Sequence, residues 1–228
     1  MIQSTKIYSV DSDTPISRFY DEVSQYTLTE TESINGEEHE LRSRIKNVKW
    51  LEENNIFTAT LEYEELQALP QLDDKIRFFP VGRKIDFAFM VGSSYYIPFA
   101  KYSIAEISAN KINKILFKNA PRIIRKFITH DMIERFIEQN PCDIKWCHWD
   151  ELDIPGVDKA RLGGTDVRRS SNHDRFEEHG GLKRFIMLTL FANGWTIALS
   201  HGGSVVFYSY VTRQEILDFI RNKIFPLF

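Results

Sequence analysis

Two short clusters carry the residue types that do chemistry in proteins. Cys142-x4-Cys147-His148 sets two thiols and an imidazole close together, and His173, Asp174, Glu177, Glu178 and His179 form a second group further along. Thiolates and imidazoles are zinc ligands. A structural zinc site, however, wants four soft ligands in closely spaced pairs, and the chain has no second cysteine pair. The two cysteines, beside Trp146, read more simply as small core hydrophobes. Metal-dependent nucleases need clustered acids with a lysine at hand. Asp143 with Lys145, or Asp150 with Glu151, supply those types without a distinguishing spacing. No Gly-x-Ser-x-Gly elbow occurs, His201-Gly202-Gly203 falls where a hairpin turn is needed, and Gly163-Gly164-Thr165 lacks the lysine of a phosphate loop. The expectation is therefore no catalytic residue, no metal and no cofactor. One enzyme alternative stays open, a small-molecule or phosphate-ester site formed if Asp150, Glu151, His173 and His179 converge.

Binding is the stronger reading. From Lys101 to Lys126 the chain holds seven basic residues and a single acid, Glu106. Lys111, Lys114, Lys118, Arg122, Arg125 and Lys126 can line a groove for phosphates, and Arg161, Arg168, Arg169 and Arg175 can supply a second wall, with Ser170 and Ser171 as neutral contacts. The expected ligand is a nucleic acid, of either type.

The elements that must position these residues follow from periodicity. In Pro121-Arg122-Ile123-Ile124-Arg125-Lys126-Phe127-Ile128, a 100° step puts the cations on one face and the apolar residues on the other, which predicts a short basic helix. Thr129 caps a second helix, with Ile133, Phe136 and Ile137 inward, which stops at Asn140-Pro141. Before these, Ser103 to about Phe117 reads as a helix with Ile104, Ile107, Ile112, Ile115 and Leu116 in one apolar arc. The front of the chain is mostly strand: Ile2 to Val10, a helix from Pro15 to about Gln25, an exposed acidic loop over residues 27–40, and then a hairpin of Leu41–Leu51 and Ile56–Glu65. Phe57, Ala59, Leu61 and Tyr63 alternate inward along the second arm. Shorter strands follow at Lys75–Phe79, Lys84–Val91 and Tyr95–Phe99. After the central helices, Cys142–Leu152 is a strand and residues 153–181 are irregular. Phe185–Phe191, Trp195–Ser200 and Ser204–Tyr210 form an antiparallel meander, and Thr212-Arg-Gln-Glu215 is a capping box opening a final helix that covers one of its faces. The fold class expected is α+β: a β-rich N-terminal part over residues 1–100, then over 101–228 the central amphipathic helices and the meander packed by the terminal helix.

Composition bounds the rest. A chain of 228 residues with 43% hydrophobic residues and 17 Phe can bury a sizeable core without staples. It has no apolar run long enough to span a membrane and no signal-peptide start, so the expected setting is the cytoplasm, with reduced thiols. The net charge of −3 conceals an asymmetry: residues 1–100 carry 10 Lys/Arg against 17 Asp/Glu, and residues 101–228 carry 19 against 15. The second part is the one suited to a polyanion. The chain ends Ile224-Phe225-Pro226-Leu227-Phe228, and Phe225, Leu227 and Phe228 are expected to offer apolar surface to a protein partner or a second copy.

A β-rich front, a helical middle and an α/β end without a nuclease site resemble, in architecture, the N-terminal, linker-1 and linker-2 polypeptide that accompanies a truncated prokaryotic Argonaute. That resemblance implies a heterodimeric defence complex in which this chain forms one wall of a guide and target channel. It carries over no individual residue.

Overall fold

The computed structural model describes residues 2–11, 23, 26–51, 55–70, 76–91, 94–118 and 120–228. Its architecture is α+β, with two sheets in two compact units, Lys6–Ile124 and Met1–Thr5 with Arg125–Phe228. The helix expected from Pro15 to Gln25 falls, apart from buried Val23, outside the described residues.

In chain order the strands are β1 (Gln3–Lys6), β2 (Tyr8–Val10), β3 (Thr27–Ile34), β4 (Glu37–Leu51), β5 (Ile56–Pro70), β6 (Ile76–Met90) and β7 (Tyr95–Pro98). Helix α1 (Tyr102–Phe117) and strand β8 (Ile123–Arg125) follow. The unit Lys6–Ile124 is built on the sheet β3-β4-β5-β6-β7-β2-β8. What reads as an acidic loop over residues 27–40 is a regular hairpin. Asn35 and Gly36, at φ 55° and 84°, make the two-residue turn whose twist suits adjoining antiparallel strands. Likewise the two strands expected over 75–91 are one strand, β6. Pro80 interrupts nothing there, because at that level β6 pairs, among the described residues, only with β5, and proline is tolerated where the N–H has no ladder bond to make.

The inward alternation along β5 holds: Phe57, Ala59, Leu61 and Tyr63 are buried and share a core with Phe87, Phe89, Tyr96 and the α1 residues Ala105, Ala109, Ile112 and Ile115. Ile104 and Ile107 are exposed instead, since the small side chains of Ala105, Ser108 and Ala109 give the helix its closest approach to the sheet. This packing is why the division of the chain falls after Ile124 and not near residue 100.

No helix forms at Pro121–Ile128. Period two defeats period 3.6: Ile123 is buried and Ile124 exposed, as in a strand. The Asn113 carboxamide accepts the Arg122 and Ile123 N–H groups at 3.1 and 2.8 Å, and the Arg122 carbonyl accepts from Asp11 N–H at 2.7 Å. Those bonds satisfy donors that a helix would have left unpaired in its first turn.

The second unit holds α2 (His130–Gln139), β9 (Cys142–Ile154), β10 (Val157–Gly163), a 3-10 turn at Val167–Arg169, α3 (Ser171–Glu178), β11 (Leu182–Leu190), β12 (Thr196–Ser200), β13 (Ser204–Phe207) and α4 (Arg213–Phe219). Its sheet order is β1-β13-β12-β11-β9-β10. The Thr129 cap, the β11-β12-β13 meander and the Thr212–Glu215 capping box all stand as the sequence implies. Residues 153–181 are not irregular: they contain β10, which pairs with β9, and α3, capped by Ser170. Phe207 faces Phe219 and Trp195 at ring distances of 5.4 and 6.2 Å, and Phe136 of α2 meets Phe219 at 6.1 Å. The helices thus share the inner face of the sheet.

The C-terminal tail is folded back rather than offered. The helix loosens to a π turn at Ile220–Ile224 and tightens to a 3-10 turn at Phe225–Leu227, burying Ile224 and Leu227 and leaving Phe225 half-buried. Arg135 donates to the Leu227 carbonyl at 2.8 Å, and the Lys126 ammonium lies 5.7 Å from the centre of the Phe228 ring. Of the three tail residues only Phe228 is exposed. No helix among the described residues is long and apolar enough to cross a membrane.

Candidate functional site

The ten basic residues singled out by sequence do not share one environment. Lys111 and Lys114 both clamp Glu30 of β3, Lys111 at 2.6 Å. Burial alone would push Glu30 up, but hydrogen bonds from the two lysines win and hold its carboxyl below the usual range. These cations are already matched. Lys118 ends α1 at positive φ, and Arg122 lies 4.0 Å from Asp11. In the other unit, Arg125 lies over Phe127, while Arg168 and Arg169 both turn toward Asp166; Arg168 also donates to the Cys142 carbonyl. Arg175 is exposed on α3, and Arg161 is exposed on β10.

Sheet geometry does not bring Asp150, Glu151, His173 and His179 together. Adjacent strand residues point to opposite faces. Trp149 faces inward against His173 and Phe176 of α3, so Asp150 faces outward, beside His148 at 3.1 Å. Glu151, at φ 61°, leaves the alternation and pairs with Arg184, and His179 caps the end of α3. The four residues are divided between the two faces. The same alternation separates Cys147 from His148: Cys147 is fully buried, and burial pushes its thiol far above the normal range.

A cluster that the sequence reading missed lies on the inner face. Lys183 of β11 is only 2% exposed, yet its ammonium sits 2.6 Å from Glu134 of α2 and 2.6 Å from Glu177 of α3. The Glu177 contact is an aligned hydrogen bond, while Glu134 makes an ion pair without that alignment. Trp149 Nε1 donates to Glu177 at 2.5 Å, and the Lys183 N–H donates to His130 Nδ1 at 3.1 Å. Burial on its own would lower the Lys183 pKa; bonding to Glu134 and Glu177 outweighs it and raises the pKa above its ordinary value. His130, Glu134 and Glu177 bring one ligand atom each within 4.8 Å of one another. The place a cation would take is nevertheless held by the ammonium. A neutral His130 that accepts at Nδ1 must also carry its proton on Nε2, so neither ring nitrogen is free to ligate. The arrangement fastens α2 and α3 to the sheet.

The outer face of the same sheet has a different character. Pairing sets Gly163, Trp146 and Met187 in one row across β10, β9 and β11, and Arg161, His148 and Phe185 in the next. Lys159 and Asp150 begin a third. Trp146 is 40% exposed. A side chain at 163 would put its Cβ 2.5 Å from Trp146 Cε3, so glycine there is what lets the indole come close over strand β10. Phe185 and Met187 are half-buried beside it. Around this apolar floor stand Arg161, Lys159 and Arg184. The last two share Asp150 at 3.6 and 3.7 Å, and Arg184 also bonds Glu151. Burial, helped by the nearby Arg161 and Lys159 charges, lowers the His148 pKa more than Asp150 raises it. Of the ten expected residues only Arg161 belongs to this face. The signal for the others was present in Val157-x-Lys159-x-Arg161-x-Gly163, a period-two run inside a stretch that looks irregular by composition.

A second open feature lies in the other unit. β4 and β5 pair only as far as Ser43↔Tyr63, and beyond it the β3-β4 and β5-β6 hairpins diverge around a cleft of about 510 Å³. Arg42, Arg44, Arg83 and Lys84 line it with Glu62 and Glu64. Hydrogen bonds from Lys84 and Arg44 hold Glu62 down to about 2, so two of the cleft's four cations answer an anion of the chain itself, while Arg83 pairs with Glu65 at 2.7 Å. Stability contributed by Glu62 is present above its unfolded pKa near 4.5 and is lost as pH falls through about 2. A Glu62→Gln protein is expected to show a flatter acid limb than the parent between those values, read from denaturant midpoints; parallel limbs would contradict the assignment.

Compared with known proteins, the chain matches no family model and no curated sequence.

Proposed function

We propose that the protein is a noncatalytic nucleic-acid-binding subunit that holds its ligand along the outer face of the six-stranded sheet. One observation carries the reading: an exposed indole laid over Gly163, with the Arg161 guanidinium in the neighbouring row of the same face. A polyanion with flat, apolar bases calls for this pairing of aromatic surface with cations. The basic helix α1 serves the reading less well, because Lys111 and Lys114 are engaged by Glu30. An Argonaute-type guide and target channel, the setting which the order of elements resembles, would use the face as one wall.

Binding to a labelled oligonucleotide, measured against salt, tests the assignment. Each phosphate contact removed should reduce the log-log salt slope by about 0.7 to 0.9. Arg161→Gln and Lys159→Gln are expected to do so, whereas Lys111→Gln with Lys114→Gln should leave the slope unchanged. The reverse pattern would move the site to α1, and an absence of binding in the parent would end the reading.

A further inference from the structure

The face has a feature that phosphate contact alone does not call for. The Trp146 indole is not folded into the core: its six-membered ring comes close against Gly163 while the residue stays 40% exposed, so a planar group has aromatic surface to rest on. Met187 lies directly across β11 from Trp146, and Phe185 flanks His148 one row along. Rows on one face of a strand are two residues, about 6.6 Å, apart. Arg161 therefore stands beside the platform at the separation of a base from a nearby phosphate along the same strand. In a duplex the bases are stacked on one another and their flat faces are closed to an indole; a single strand leaves them free.

We propose, resting on the reading above, that this face takes single-stranded nucleic acid, one unpaired base stacking on Trp146 while a neighbouring phosphate pairs with Arg161. The ligand class is thereby narrowed from any polyanion to an unpaired strand. Gly163 is a positioning residue, since it sets the height and tilt of the indole without itself touching the base. Sequence preference is weak, because every base has a flat face.

The probe is a fluorescently labelled oligothymidylate, with a duplex of the same length as competitor. Base-on-aromatic stacking corresponds to a loss of roughly 5- to 150-fold in affinity on truncation to alanine. Trp146→Ala should lose that much for the single strand, Trp146→Phe should restore most of it, and the duplex should compete poorly. Binding should also quench the intrinsic fluorescence of the parent and do so far less in Trp146→Phe, because the exposed indole is then gone, Trp149 is fully buried, Trp195 packs on the inner-face rings of Phe207 and Phe219, and half-buried Trp50 belongs to the other unit. Gly163→Ala, which pushes against the ring, should weaken binding while Trp146 remains. Unchanged single-strand affinity in Trp146→Ala, or equal competition by the duplex, overturns the stacking proposal. If Arg161→Gln still weakens binding in that case, nucleic-acid binding itself survives. A parent that binds neither probe overturns both.

Discussion

Replacing Glu134 and Glu177 together by glutamine is expected to destabilise the second unit by about 3–5 kcal/mol, the cost of leaving a buried charge uncompensated. Lys183→Met should cost less. The asymmetry comes from exposure: the Lys183 side chain is 2% accessible, but the Glu134 and Glu177 side chains are 36% and 29% accessible and can recruit water when the lysine is gone. A variant with all three positions made apolar should recover much of the loss, because a buried ion cluster contributes little net stability over a well-packed apolar one. Alkaline titration separates the variants by sign. In the parent the folded Lys183 pKa lies above the ordinary 10.5, so its contribution is complete below that value and disappears as pH rises through the folded pKa. In the double glutamine variant burial acts unopposed and depresses the folded pKa, so stability should rise with pH as the ammonium loses its proton. Denaturant midpoints across the alkaline range measure this, and parallel curves for parent and double variant would contradict the role given to the carboxylates.

Phe207→Ala should cost about 3–5 kcal/mol, the range for a fully buried phenylalanine. Phe207 is inaccessible and packs directly on Trp195 and on Phe219 of α4, and Phe219 in turn meets Phe136 of α2, so truncation removes two ring contacts at the centre of a larger cluster. The midpoint should fall with little change in denaturant slope, as for a packing defect in an otherwise intact fold. Nucleic-acid affinity of the folded fraction should be unchanged, since Phe207 points to the face opposite Trp146. A stable Phe207→Ala protein that had lost binding would reverse the division between a structural inner face and a binding outer face.

How much of this was legible in the sequence depended on whether neighbouring residues along the chain settled the local structure. The meander was, because strand composition, turn residues and a capping box agree over residues 185–215, and α2 was, because Thr129 and Asn140 mark its ends. The segment 121–128 was not. Its helical periodicity is real, but the bonds that make it a strand come from Asn113 and from the partner strand β2, neither of which its own eight residues announce. Residues 153–181 misled in the opposite direction: polar, glycine-bearing composition concealed β10, whose pairing with β9 supplies the order. The site shows the same pattern. Glu134 lies far along the chain from Glu177 and Lys183, which are only six residues apart, and the three meet through tertiary packing, although His130-x3-Glu134 already put two polar groups on one side of a helix. Basic density pointed to α1, yet density does not register that Glu30, some eighty residues away, answers two of those charges. Trp146 and Gly163 were visible as residue types, and only strand register made them neighbours.

Photocrosslinking locates the bound strand on the protein. Irradiating the complete chain with single-stranded oligothymidylate and mapping the adducts by mass spectrometry should place them on Trp146, Phe185 and the Lys159–Gly163 strand, with few on peptides from residues 101–118. Adducts concentrated at Lys111, Lys114 and Lys118, with Trp146 unmodified, would contradict the account and return the ligand to the helix.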